Sequence, residues 1–127
     1  LMSCGFSVVY AFTQSDEISL LFAAEEQQFS RKLRKYDSIL AGEASAHFSM
    51  QLGRPAVFDC RISQLPNLDL VVDYFRWRQE DAARNALNAH CYWALRREGA
   101  DVSQATNRLL GLSGSGKHEL LFQHGVN

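Results

Sequence analysis

Proline is scarce in this chain, two residues in 127, so its apolar stretches can run as regular strands and helices, and a proline-rich linker or tail is excluded. Cysteine is scarce too. Cys4, Cys60 and Cys91 are odd in number, widely spaced and without a C-x-x-C pair, which indicates neither a disulfide framework nor a zinc site. The four histidines, His47, His90, His118 and His124, form no H-x-x-x-H or H-E-x-x-H pattern, so histidine metal chemistry has no support. No apolar run approaches the ~20 residues that span a bilayer, and Leu1-Met2-Ser3-Cys4 lacks the basic flank of a secretory leader; we expect no membrane partner and a cytoplasmic location. An excess of one charge is also missing. Thirteen Lys and Arg against fourteen Asp and Glu leave a net charge of −1, which argues against nucleic-acid binding through overall basicity and confines any such contact to local clusters. Two such clusters exist, Arg31, Lys32, Arg34 and Lys35 in one stretch and Arg76, Arg78 and Arg84 in another; a solvated helix face is the ordinary reading of each.

With 46% hydrophobic residues the chain has the composition of one compact domain over residues 1–127. Residues 8–12 and 18–22 are apolar stretches with β-branched and aromatic members, and the polar stretch 13–17 between them predicts a strand, a tight turn and a strand. Asp16 and Glu17 sit at the tip of that hairpin. As successive strand residues point to opposite faces, the two acids should not do the same job. Hard oxygen ligands of this kind suit Mg²⁺ beside a nucleotide, the bland alternative being a solvated hairpin tip.

Phe29, Leu33, Tyr36, Leu40, Ala44 and Phe48 recur at helical steps and predict an amphipathic helix over residues 26–50, ended by Gly53 and Pro55. On one face of that helix Arg31, Lys32 and Lys35 would suit charge-assisted contacts to a triphosphate. Residues 56–63 read as a third strand, on which Asp59 and Arg61 share a face; with Arg78 and Asp81 they either fix a helix to the sheet as ion pairs or take part in catalysis. Residues 69–97 read as one long helix, or two joined near Arg76, stopped by Gly99, with Tyr74, Phe75, Trp77 and Trp93 expected in the core. Ser103 is the expected N-cap of a helix through Leu110, with Gly111 at its end. The run from Gly111 to His118 imitates a phosphate-binding loop, but His118 stands where Ser or Thr is needed and no strand precedes it, so a flexible Gly/Ser connection is expected.

The segments Tyr10 to Phe22, Phe58-Asp59-Cys60-Arg61, Asp73-Tyr74-Phe75-Arg76-Trp77-Arg78-Gln79-Glu80-Asp81 and the stretch from Asn85 to Trp93 occur in the order and approximate spacing of the tRNA-His guanylyltransferase family and its relatives, the guanylyltransferase-like 3′-to-5′ RNA polymerases, and the chain resembles that family from about Gly5 to Phe122. The resemblance implies an α/β fold, a palm-like antiparallel sheet packed with helices. It implies a first strand-helix unit carrying an aspartate in a D-G-R-type motif, for which nothing precedes Gly5 here. The chain is therefore expected to be the C-terminal portion of such a catalytic domain, inactive by itself.

By the same resemblance Asp16 and Glu17 are the catalytic and metal-binding acids for Mg²⁺, and Ser15, Arg31, Lys32, Lys35 and Asn85 contact the nucleotide. The implied activity adds a nucleotide, GTP, to the 5′ end of tRNA in the 3′-to-5′ direction, with ATP and GTP as substrates and a homo-oligomer, a tetramer, as the assembly. The family's eukaryotic members carry a histidine where Ala83 stands. Its absence favours templated 5′-end repair over untemplated guanylylation of tRNA-His. Two other classes stay in view, a palm-fold nucleotide cyclase and a non-enzymatic chain that only assembles or binds RNA.

Overall fold

A computed structural model describes residues 4–126. It is an α/β protein with one two-stranded antiparallel sheet and four α-helices among the described residues, and it divides into two compact units, Leu1–Leu68 and Asp69–Asn127. The single-domain expectation over 1–127 meets, in the contacts, two units each with its own core.

The first unit opens with the expected hairpin. β1 (Val8–Gln14) and β2 (Glu17–Phe22) pair antiparallel from Val8↔Phe22 to Gln14↔Glu17, with a bulge between Val8 and Tyr10. Val8, Leu20 and Phe22 lie on one face and pack on a core of Phe6, Tyr36 and Leu40. The Tyr36 and Leu40 positions come from α1 (Leu33–Leu52), which also buries Ala44. Gly53, at φ 71°, ends α1 with its N–H donating to the Ser49 carbonyl, the left-handed cap that the sequence predicts.

The start of this helix differs from expectation. Instead of running from residue 26, the chain makes a single tight 3-10 turn, Gln28–Arg31, in which Phe29, Ser30 and Arg31 take φ values of 52°, 52° and 56°. Three left-handed residues in succession cannot continue into a right-handed helix, so α1 begins only after the extended Lys32.

No strand forms over residues 56–63. The alternation is real, since Phe58, Cys60 and Ile62 are half-buried while Val57, Asp59 and Arg61 are exposed. The backbone, however, is tied to α1 by serine hydroxyls. Ser49 Oγ donates to the Ala56 carbonyl (3.0 Å) and accepts from the Ala56 N–H (2.8 Å), and Ser45 Oγ accepts from the Phe58 N–H (2.9 Å). The start of the extended segment, Ala56 and Phe58, thus finds its partners in side chains of α1 and not in a neighbouring strand.

The second unit is all helical. α2 (Leu68–Arg97) is one unbroken helix of 30 residues, resolving the one-or-two alternative. Its C-terminal part supplies Cys91, Ala94 and Leu95 to a core completed by Ala105 of α3 (Val102–Leu110) and Leu120 and Leu121 of α4 (Gly114–Gln123). Gly99, at φ 98°, follows α2 as the predicted stop. Asp101, not Ser103, caps α3; its carboxylate accepts from the Gln104 N–H (2.8 Å) while the Gln104 amide oxygen accepts from the Asp101 N–H (3.0 Å), a full capping box. The Gly/Ser run is not a loose connection, because Ser113 Oγ accepts from the Gly116 N–H and starts α4 there.

Trp77 and Trp93 are 53% and 57% exposed, and Tyr74 and Phe75 are half-buried, so the aromatic-core expectation fails for the tryptophans. Small and aliphatic residues fill this core, and the rings pack edge-to-face on neighbours along their own helix: Tyr74 on Phe75 and Trp77, and Tyr92 on Trp93.

Candidate functional site

The hairpin turn is only two residues long. Gln14 pairs with Glu17, which leaves Ser15 and Asp16 as the tip, with Ser15 in the left-handed region at φ 52°. That backbone costs about 1 kcal/mol for a residue with a Cβ. The Asp16 side chain stands exposed and makes no hydrogen bond or ion pair among the described residues. Glu17 opens β2, one residue on and within the ladder.

A pair of adjacent carboxylates is a hard donor set. Among the described residues no group of three or more His, Cys, Asp or Glu side chains could hold a metal. Two carboxylates are nevertheless what Mg²⁺ ordinarily takes from a protein when water and substrate phosphates fill its other positions. Asp16 and Glu17 thus fit Mg²⁺ presented with a nucleotide, and do not fit a closed structural site.

The basic residues are arranged differently from expectation. Arg31, Lys32 and Lys35 do not share a helical face: Arg31 closes the left-handed turn, Lys32 is the extended N-cap of α1, and only Lys35 lies in the helix. The Arg31 guanidinium donates through Nη1 to the Ala24 carbonyl (3.0 Å). Lys32 and Lys35 are exposed, and their ammonium groups have no partner among the described residues. Three cations at a chain reversal remain a suitable anion surface, now with separate directions of approach.

Sequence reasoning missed Glu26, which anchors this reversal. Glu26 is 5% exposed, and its two oxygens bridge the fold: Oε2 accepts from the Ser7 N–H at the entry to β1, and Oε1 accepts from the Gln28 N–H (2.7 Å) at the start of the left-handed turn. These donors, foremost Ser7, hold its carboxyl below the usual range. Nearby, burial raises the Tyr36 phenol, the Glu26 charge adds to the rise and Arg31 opposes it. The sequence offers no signal that singles it out, since Glu25, directly before it, is an exposed acid of the same type.

Asn85 belongs to the second unit. Its amide donates to Asp81 Oδ2 (3.2 Å), while Arg84 pairs with Asp81 Oδ1 (3.2 Å), a local network on α2. Asp59 and Arg61 pair with each other at 3.6 Å, both exposed, on a segment without a strand. Arg78 is buried, with its guanidinium 4.9 Å from the centre of the Trp77 ring.

Four non-glycine residues have positive φ among the described residues, Ser15, Phe29, Ser30 and Arg31. Each is one of the candidate residues or lies within three positions of one. Strain of this kind gathers where a fold presents functional groups.

The family described as "tRNAHis guanylyltransferase" matches residues 1–66, and "Thg1 C terminal domain" matches residues 69–127. The tRNA(His) guanylyltransferase of Debaryomyces hansenii is 32% identical over all of this chain and 53% of its own length. A protein of Dictyostelium discoideum named "Probable tRNA(His) guanylyltransferase" is 33% identical over 91% of the chain and 49% of its own. The crystal structure of tRNA(His) guanylyltransferase from Saccharomyces cerevisiae superposes with a TM-score of 0.77 at 28% identity, covering 95% of this chain and 58% of that one. The chain spans about half the length of these relatives.

Proposed function

The chain belongs to the tRNA(His) guanylyltransferase family, and on that premise we propose that it supplies the acidic hairpin and the phosphate-binding cations of a nucleotidyltransferase that adds GTP to the 5′ end of tRNA. In that reaction the tRNA 5′-phosphate first attacks the α-phosphorus of ATP, releasing pyrophosphate. The 3′-hydroxyl of GTP then attacks the activated 5′-phosphorus, a new phosphodiester forms and AMP departs.

Asp16 and Glu17 are the side chains that would hold Mg²⁺, and when bound Mg²⁺ would acidify the attacking hydroxyl and offset charge on the phosphates. Arg31, Lys32 and Lys35 neutralise the triphosphate and hold it still, which matters because phosphoryl chemistry depends mainly on positioning and charge stabilisation. Ser15 is the other residue of the two-residue turn, and its hydroxyl is a further donor for the nucleotide. A tetramer in the cytoplasm is the working assembly in this reading.

The single observation that carries the proposal is an exposed, unpartnered Asp16 carboxylate on a strained two-residue turn, in the same unit as the strained reversal bearing Arg31 and Lys32. Titration of the chain with Mg²⁺–GTP, paired with incorporation of labelled GTP at the 5′ end of tRNA by the full-length protein, tests it. Absence of both signals would leave a chain that serves only in assembly or RNA binding.

Ala83 favours the templated branch. It is an exposed methyl on α2, unable to select a base by hydrogen bonding, so base pairing would have to supply the selectivity. Comparing GTP addition opposite A and opposite C on otherwise identical tRNAs decides. Equal rates, or a preference for the mismatch, would remove the repair reading and leave untemplated guanylylation.

A further inference from the structure

We infer that Glu26 is a positioning residue: by bridging the Ser7 and Gln28 backbones it holds the left-handed turn at Phe29, Ser30 and Arg31, and so fixes where Arg31 and Lys32 meet nucleotide phosphates. The inference rests on the proposed nucleotide role of those two cations.

Three observations carry it. A buried carboxylate is costly unless its lone pairs are satisfied, and here every acceptor contact comes from the two chain segments that must be joined: the Ser7 backbone and hydroxyl on one side, the Gln28 and Gln27 backbones on the other. No basic side chain neutralises Glu26 by an ion pair among the described residues, so its charge is held by N–H and O–H donors, a geometry that dictates backbone direction.

The segment it holds is one that ordinary residues avoid. Left to itself, a Phe-Ser-Arg sequence would leave the left-handed region, and the strain persists only where surrounding contacts over-determine it. Glu26 supplies one anchor. Phe29 supplies another, its ring 6.0 Å from that of buried Phe6, the residue next to Ser7.

The turn also determines the start of α1 and the reach of its cations. Arg31 is itself left-handed, its guanidinium bonded back to Ala24 in the same connection, and Lys32 follows as the extended residue before the helix. Release of the Gln28 end would let all three left-handed residues relax, and both cations would lose their fixed origin.

The test compares Glu26→Gln, Arg31→Ala and the double variant by Mg²⁺–GTP titration, with tryptic cleavage as a second readout. We expect each single variant to lose affinity by about tenfold and the double variant to fall no more than about twofold further, since the two residues act in series. A product of the two losses, or an unchanged affinity for Glu26→Gln, would overturn the inference. Trypsin should cut after Arg31 and Lys32 faster in Glu26→Gln while the rate after Arg97 is unchanged; no acceleration at residues 31 and 32 would also overturn it.

Glycine adopts φ near 52° without steric cost, so Glu26→Gln combined with Ser30→Gly should regain most of the lost affinity and tryptic resistance, and this pair serves where the single variant folds poorly. Failure to regain either counts against positioning. If the unaltered chain binds no Mg²⁺–GTP, the proposed function falls by itself, and the cleavage pattern still decides whether Glu26 holds the turn.

Discussion

Replacing Asp16 by asparagine isolates one charge at the hairpin tip. The substitution keeps an oxygen in place and leaves the turn unaltered, because the Asp16 side chain is exposed and makes no hydrogen bond or ion pair among the described residues. Its effect on stability should therefore stay within about 0.5 kcal/mol, the range of surface changes that touch nothing. Its effect on metal-dependent chemistry should be much larger. At solvent-like permittivity, appropriate to an exposed group, a divalent ion about 2.1 Å from a carboxylate is attracted by about 4 kcal/mol. The amide oxygen retains part of this as an ion–dipole contact, so we expect a loss of at least about 2.7 kcal/mol, or ~100-fold in rate.

The assay is incorporation of labelled GTP at the 5′ end of tRNA at saturating Mg²⁺ by the full-length protein, run beside a thermal melt of the unaltered and Asp16→Asn forms. A ~100-fold slower reaction with an unchanged melt supports the assignment. Near-normal turnover at saturating Mg²⁺ would refute it, and a lowered melting point would trace the loss to folding instead of to the metal.

Three further outcomes follow from the packing and the titrating groups. Leu95 is fully buried in the second unit's core, so Leu95→Ala should cost about 2–5 kcal/mol and appear as a lower denaturant midpoint; a cost below 1 kcal/mol would mean that this core is not as close-packed as described. Asp101→Ala removes half of the α3 capping box and should cost about 1 kcal/mol by chemical denaturation, whereas Ser103→Ala, at the position first read as the cap, should cost less. Glu26 is held below its usual carboxylate value of 4.5, foremost by the Ser7 N–H; stability from that shift is present in full above about 4.5 and is lost as pH falls through the lowered folded value. Tyr36, its phenol raised by burial, bears on the same cluster and stays neutral across that window. Denaturation midpoints taken from pH 6 to pH 3 should therefore fall less steeply in Glu26→Gln, and parallel curves would exclude Glu26 as a source of acid sensitivity.

The hairpin, the breadth of α2 and the stops at Gly53, Gly99 and Gly111 were legible in the sequence because each follows from neighbouring residues: β-branched alternation, helical spacing and a glycine at the end. The candidate acids were legible for the same reason, lying between two recognisable strands. What escaped depends on partners distant in sequence. Phe58, Cys60 and Ile62 do alternate as in a strand, but the backbones of Ala56 and Phe58 bond to the Ser49 and Ser45 hydroxyls, a choice no local pattern records. The start of α1 escaped because the periodicity of Phe29 and Leu33 is helical, while Glu26, bonded across 19 residues to Ser7, holds the backbone elsewhere. Asp101 and Ser103 are both good capping residues, and only the reciprocal Gln104 contact separates them.

The strained backbone links these two kinds of residue. Ser15, Phe29, Ser30 and Arg31 each stand where a Cβ costs about 1 kcal/mol, so the first unit carries roughly 4 kcal/mol of local strain against a typical total stability of 5–15 kcal/mol. Glycine at these positions would relieve most of it, at the loss of the Phe29 ring contact with Phe6 and the Arg31 bond to Ala24. A fold under selection for stability alone has little reason to keep four such residues in 68, and less to group them next to Asp16 and Lys32. Gly5, Gly53, Gly99 and Gly125 take the other positive-φ positions among the described residues, where only a turn or a helix end is needed. Glycine was therefore available to this chain for left-handed turns, and the four positions without it are those where a side chain or a rigid backbone beside a charged group is wanted.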